Sequence, residues 1–182
     1  MTIFSPDSTA FSPDPDALLM QEAGKGDRAA FESLMRKYYR RIYNFIGRYV
    51  GDAALAEDLS QEVFLKAYQA ALNYQPQAKF QTWLYTIARN TALNALRGRC
   101  PMVSLDETLK TEDGEITLQL ADPSLKDSRE KLKDEELAVM VRQAVDSLPE
   151  HQRLAVILRR YENLSYEDIA DTLELSVPAV KS

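Results

Sequence analysis

Apolar residues recur at three- and four-residue intervals through most of the chain, the spacing of one buried helical face rather than the alternation of a strand. Phe31, Leu34, Met35, Tyr38, Ile42, Phe45, Ile46 and Tyr49 form one such stripe, on a helix that Asp27 caps and Gly51 ends. A shorter helix, ALLMQEAG, precedes it from about Asp16 and is closed by Gly24 and Gly26. Asp52 opens a third, DAALAEDLSQEVFLKAYQAAL, with Leu55, Leu59, Val63 and Ala67 in line. The turn NYQPQ (Asn73 to Gln77), broken by Pro76, leads to a fourth helix, KFQTWLYTIARNTALNALR. At about 100° per residue, Phe80, Leu84, Ile87, Ala88, Thr91 and Ala95 share its buried face. Thr86, Asn90 and Arg97 fall on another stripe, with Trp83 at its border and Arg89 a little further round.

Periodicity lapses from about Gly98 to Ser128, where Pro101, Gly114 and Pro123 interrupt. It returns as a helix from Leu132 to Ser147 and a second begun by Pro149, LPEHQRLAVILRRYENL. Ser165 caps YEDIADTLEL with Asp168 three residues on, and Ser176 and Pro178 open a last helix, VPAVKS. The pattern predicts an all-α protein of two small helical domains joined by an acidic flexible linker. The expected divisions are a disordered Ser/Pro/Asp-rich tail over 1–15, a first domain over 16–98, the linker over 99–128 and a second domain over 129–182.

Charge changes this picture in one place. The chain has 182 residues, a formal net charge of −6 and 45% hydrophobic content, which fit a core-forming protein and not a uniformly basic one. Asp106 to Glu136 holds eleven acids against five bases, so that segment alone matches the formal charge of the whole chain. By contrast, no Asp or Glu occurs between Glu62 and Asp106. That interval holds Lys66, Lys79, Arg89, Arg97 and Arg99 among six aromatic residues, including the single Trp83.

Enzyme chemistry finds little support. His151 is the sole histidine and Cys100 the sole cysteine, so neither a His/Cys metal cluster nor an internal disulfide is expected. No glycine motif for phosphate binding and no apolar run near the ~20 residues of a membrane span occur. No catalytic residue, metal or cofactor is expected. The acid-free interval points instead to unpaired nucleic acid, which is held by aromatic faces and by cations along its phosphates. Asparagine adds edges that can read a base outside the stack. The competing reading is an aromatic helix packed in a core, and Phe80 and Phe64 belong to it. Separately, Ile169, Ala170, Leu173, Leu175, Val177 and Val180 are spaced as the packing residues of a helix-turn-helix.

Three motifs together resemble the extracytoplasmic-function group of bacterial RNA polymerase sigma factors, close to the RpoE-like type. AEDLSQEVFLKAYQAAL is similar to the family's polymerase-clamp helix, FQTWLYTIARNTALNALR to its −10-reading helix, and SLPEHQRLAVILRRYENLSYEDIADTLELSVPAVKS to its −35-reading domain. The resemblance implies a transcription initiation factor. Its core polymerase contacts would be Asp58, Gln61, Glu62 and Lys66, on the clamp of the largest subunit; the second domain would meet the flap of the second-largest subunit. Its −10 contacts would be Asn73, Tyr74, Trp83, Thr86, Arg89, Asn90 and Arg97. Its −35 contacts would be Ser176, Pro178, Ala179, Lys181 and Ser182, in a recognition helix that ends earlier than the family's and so looks truncated. The implied partners are core RNA polymerase, promoter DNA and an anti-sigma factor, with no membrane insertion. The implied location is the cytoplasm, where the anti-sigma factor could hold the chain at the inner membrane face. A conventional helix-turn-helix regulator would explain the last motif alone, and a helical adaptor none of the three.

Overall fold

The computed structural model describes residues 14–99, 137 and 139–181. Residues 1–13 of the expected tail, the linker beyond Arg99, Cys100 and Ser182 lie outside them. Among the described residues the elements are all helical: α1 (Pro15–Gly24), α2 (Arg28–Val50), α3 (Ala53–Ala70), a 3-10 turn (Ala71–Asn73) and α4 (Phe80–Arg99). They continue as α5 (139–146), α6 (Glu150–Tyr161), α7 (Tyr166–Leu173) and α8 (Val177–Lys181).

The helix ends follow from short polar side chains and two backbone constraints. Asp27 accepts from the amides of Ala29 and Ala30 at 2.9 and 3.2 Å, and Asp52 from that of Leu55 at 3.0 Å. Gly51 closes α2 in the left-handed region at φ 74°, which costs a residue with no Cβ nothing. Gly24 is needed for space: a Cβ there would lie 2.3 Å from the Ala71 carbonyl oxygen. The expected tail overlaps the fold at its end, since Pro15 is the first residue of α1 and Asp14 its N-cap. Asp14 also reaches across the bundle. One carboxylate oxygen accepts from the Asp16 amide at 3.1 Å and the other from the Phe80 amide at 2.6 Å, so one side chain caps α1 and α4. Pro149 proves to be the N-cap of α6, which begins at Glu150.

The predicted stripes of α2 and α3 are buried, apart from a partly exposed Met35, and pack against Phe80, Leu84 and Ala88 of α4. Tyr85, which the helical wheel assigns to neither face, is fully buried and stands edge-on to Phe45 with centroids 5.3 Å apart. The two helical segments do not stay apart. Leu154, Ile157 and Leu158 of α6 and Ile169 and Leu173 of α7 extend the same core, α6 lying on α2 and α7 on α4.

Polar contacts fix how they meet. Glu162, at the C-cap of α6 and 5% exposed, takes the hydroxyl of Tyr85 and, at 3.2 Å, the Nε of Arg41. Arg41 also donates to the Glu162 carbonyl at 3.0 Å. Arg48 covers the Tyr161 ring at 4.2 Å while Arg153 covers the Tyr49 ring at 4.8 Å, so α2 and α6 exchange cation–π contacts. On the α7 side, Lys79 Nζ donates to Asp168 at 2.9 Å and Thr82 Oγ1 at 3.2 Å.

Two predictions follow from these contacts. Asp14→Ala removes two amide acceptors at once and should cost about 1–2 kcal/mol, read as a lowered urea midpoint. Asp168 supplies a pH dependence. Burial acts to raise its pKa, but hydrogen bonds from Lys79 and Ser165, the Lys79 charge and the Thr82 hydroxyl outweigh it and hold the carboxyl below its ordinary value. A depressed folded pKa contributes stability that is present above the unfolded value and is lost as pH falls through the folded one. Acidification through that range should loosen the α4–α7 contact, and Asp168→Asn should remove this part of the transition. Emission from Trp83 during acid titration checks both.

Candidate nucleic-acid interface

The turn after α3 folds back on the first turns of α4 because Tyr74 buries part of its ring there. Its centroid lies 4.9 Å from that of Trp83 and 6.2 Å from that of Phe80, both near edge-on. Tyr74 and Trp83, backed by Phe80, form one wall of a cleft of about 520 Å³, lined also by Asn73, Thr82, Thr86 and Asp171. Phe80 is 1% exposed and anchors the wall, while Trp83 is half-buried and keeps ring surface open. The Tyr74 hydroxyl is buried without a hydrogen-bond partner among the described residues. Burial, then the Asp14 charge, push its pKa up to about 12, so it is a neutral donor at physiological pH. An aromatic wall beside the exposed Asn73 amide suits a base outside its stack.

Four of the expected strand contacts, Asn73, Tyr74, Trp83 and Thr86, therefore share one cleft. Asn90 and Arg97 lie outside it, exposed further along α4. Arg89 departs from the expectation of a free edge residue. It is 8% exposed, its Nη1 donates to the Thr172 carbonyl at 3.3 Å and lies 3.6 Å from the Glu174 carboxylate. A guanidinium beside an apolar helix face needs acceptors, and α7 provides them.

On α3, Asp58, Gln61 and Glu62 are exposed, with Leu65 57% and Tyr68 47% exposed beside them. An acidic strip here borders open apolar surface. Lys66 pairs with Glu62 at 2.7 Å and donates to Thr91 at 3.1 Å, which ties α3 to α4. Ser176, just before α8, and Pro178, Ala179 and Lys181 on it are exposed, with Lys181 Nζ 5.2 Å from the Tyr166 ring centroid. Val177 and Val180 on the same short helix are partly buried.

Sequence reasoning passed over Lys79, Thr82 and Glu162. Only the acid-free interval hinted at the first. Nothing local marks Glu162, whose partners Arg41 and Tyr85 lie 121 and 77 residues away in the chain.

Two parts of the chain match known families. Residues 34–99 match the family Sigma-70 region 2, and residues 138–182 match Sigma-70, region 4. The RNA polymerase sigma-H factor of Pseudomonas aeruginosa is 42% identical over 175 residues, spanning 93% of this chain and 88% of the relative. The ECF RNA polymerase sigma-E factor of Escherichia coli is 36% identical over 169 residues, spanning 92% and 87%. In fold, the chain is similar to CnrH, solved in complex with the cytosolic domain of CnrY, at TM-score 0.64 and 21% identity over 91% of this chain and 87% of that one. It is also similar to the sigma factor RpoE of Bartonella quintana, solved with the anti-sigma factor NepR, at TM-score 0.58 and 22% identity over 83% and 87%. A conventional helix-turn-helix regulator would leave the region 2 match unexplained. The chain belongs to the extracytoplasmic-function group of RNA polymerase sigma factors, of the sigma-E-like type, which direct polymerase to promoters.

Proposed function

We propose that the cleft beside α4 receives an unpaired base of the melted −10 element, with Trp83 and Tyr74 offering ring faces and edges and Asn73 and Thr86 polar contacts. The observation that carries this reading is the meeting of these four residues at one cleft, on the longest stretch of chain free of acids. Asn90 and Arg97 continue the contact along the exposed side of α4, and Arg89 joins them when α7 moves away. Asp58, Gln61 and Glu62 dock on the clamp of the largest polymerase subunit, with Lys66 holding that helix to α4. The exposed side of α8, with Ser176, Pro178, Ala179 and Lys181, faces the −35 duplex, and the second segment meets the flap.

In this reading residues 16–98 form the −10 and polymerase unit and 129–182 the −35 unit. The acidic 99–128 connects them and stands in for the transcript in the polymerase exit path. The chain itself is no enzyme, since phosphodiester chemistry belongs to the polymerase. An anti-sigma factor covers these surfaces when the factor is off, as the CnrY and NepR complexes of its structural relatives suggest. As a sigma factor the chain acts with polymerase in the cytoplasm; among the described residues no helix is long and apolar enough to cross a membrane.

Selection of single-stranded DNA from a randomised pool by the holoenzyme supplies the test strand. Trp83→Ala with Asn90→Ala should lower holoenzyme affinity for that strand by roughly 10- to 100-fold, on the scale of about 1–3 kcal/mol per stacked base. Unchanged affinity and open-complex formation would remove the site assignment. Asp58→Lys with Glu62→Lys should weaken pull-down of core polymerase without changing the circular dichroism spectrum. Undiminished pull-down would refute the docking face.

A further inference from the structure

The stretch that lacks acids in sequence does not lack them in space. The first helix of the helix-turn-helix, α7, brings carboxylates to it from 80 or more residues away. Asp168 holds Lys79 at 2.9 Å and Thr82 at 3.2 Å; Glu174 stands 3.6 Å from Arg89; Asp171 lines the aromatic cleft itself. Asp168 and Glu174 meet the cations and the hydroxyl that an approaching strand's phosphates would otherwise reach, and Asp171 adds its charge to the cleft lining. Carboxylates in contact with one lysine, one threonine hydroxyl and one arginine offer the same hydrogen-bond partners as successive phosphates. The match is one of charge and hydrogen-bonding groups, beside a cleft whose other lining is partly aromatic.

We propose that the acidic edge of α7, formed by Asp168, Asp171 and Glu174, is an internal competitor of the DNA strand, and that Lys79, Thr82 and Arg89 are the phosphate-binding groups for which the two compete. Packing of α7 on α4 and strand binding are then mutually exclusive, and the chain in its packed form is self-blocked. The inference rests on the strand-binding reading of the cleft and adds the residues and device that control access to it. The device is reversible because Lys79 and Glu174 are largely exposed, at 56% and 73% of their side-chain surface. Their partners Asp168 and Arg89 are only 17% and 10% exposed, so phosphates reach Lys79 first and Arg89 once α7 lifts. Apparent affinity for the strand is the intrinsic affinity scaled by the open fraction, so weakening the packed form raises it with no new contact to DNA.

The test uses the full chain, free and in holoenzyme, with a fluorescein-labelled, single-stranded DNA of randomised sequence as the probe. Free Asp168→Asn/Glu174→Gln should bind the probe about tenfold more tightly than the free parent chain. Its Trp83 emission should shift to the red as the cleft opens to water. A control of equal net charge, Glu22→Gln/Glu32→Gln, should bind as the parent does. Asp171→Asn/Glu174→Gln, at two exposed positions, repeats the test should the Asp168 change disturb the cap of α7. Equal affinity of both α7 variants and the parent, or an equal gain in the control, overturns the competition. If in that case Trp83→Ala/Asn90→Ala still lowers probe binding in holoenzyme, strand binding stands and only the competition falls. If that pair changes nothing in holoenzyme, both readings fall together.

Discussion

The packing of one half of the molecule on the other depends on a buried carboxylate. Glu162 sits at the end of α6 with almost no solvent, and burying a charge is costly unless it is paired and hydrogen-bonded. Arg41 meets its charge, and the same oxygen, Oε2, also accepts from the Tyr85 hydroxyl, the two donors being held on α2 and α4. Burial of Tyr85, then the charge and hydrogen bond of Glu162, push the phenol pKa far up, so it stays a donor at any physiological pH. Apolar contact between α6 and α2 would tolerate some sliding. A single acid with two fixed partners does not, and so it sets the register in which Asp168 and Glu174 arrive over α4.

How much of this was legible depended on the range of the interaction. Caps such as Asp27, Asp52 and Ser165 act within three residues, and the buried stripes of α2 and α3 repeat every turn, so pattern alone found them. Asp14 escaped because its Pro/Asp surroundings suit a loose tail, whereas its second partner, the Phe80 amide, is 66 residues away. Arg89 escaped for a related reason. The helical wheel gave its direction correctly, but could not say that another helix would lie there. Of the cleft residues, Tyr74, Trp83 and Thr86 stand out because the aromatic content and the polar stripe are local, whereas Asn73 is singled out only by the family resemblance. The acidic stretch beyond Arg99 falls outside the described residues, so its expected role rests on sequence alone.

Net charge gives a poor guide to what such a protein binds. A formal −6 describes a molecule that would be repelled by DNA at a distance, yet the sign changes from face to face. Acids on α3 stand beside open apolar side chains, the α4 face carries the cations, and α7 brings acids back to them.

The contacts joining the two halves differ in kind along their length, and this has a mechanical consequence. Near α2 and α6, arginines lie over tyrosine rings and a largely desolvated acid is neutralised in place; such contacts lose little to added salt. Near α4 and α7, Lys79 and Glu174 reach their partners through solvent-facing side chains, and mobile ions screen those. Rising ionic strength therefore slackens one end of the seam before the other. Separation of the halves begins as a peel from the cleft side, with the α2–α6 end serving as the pivot.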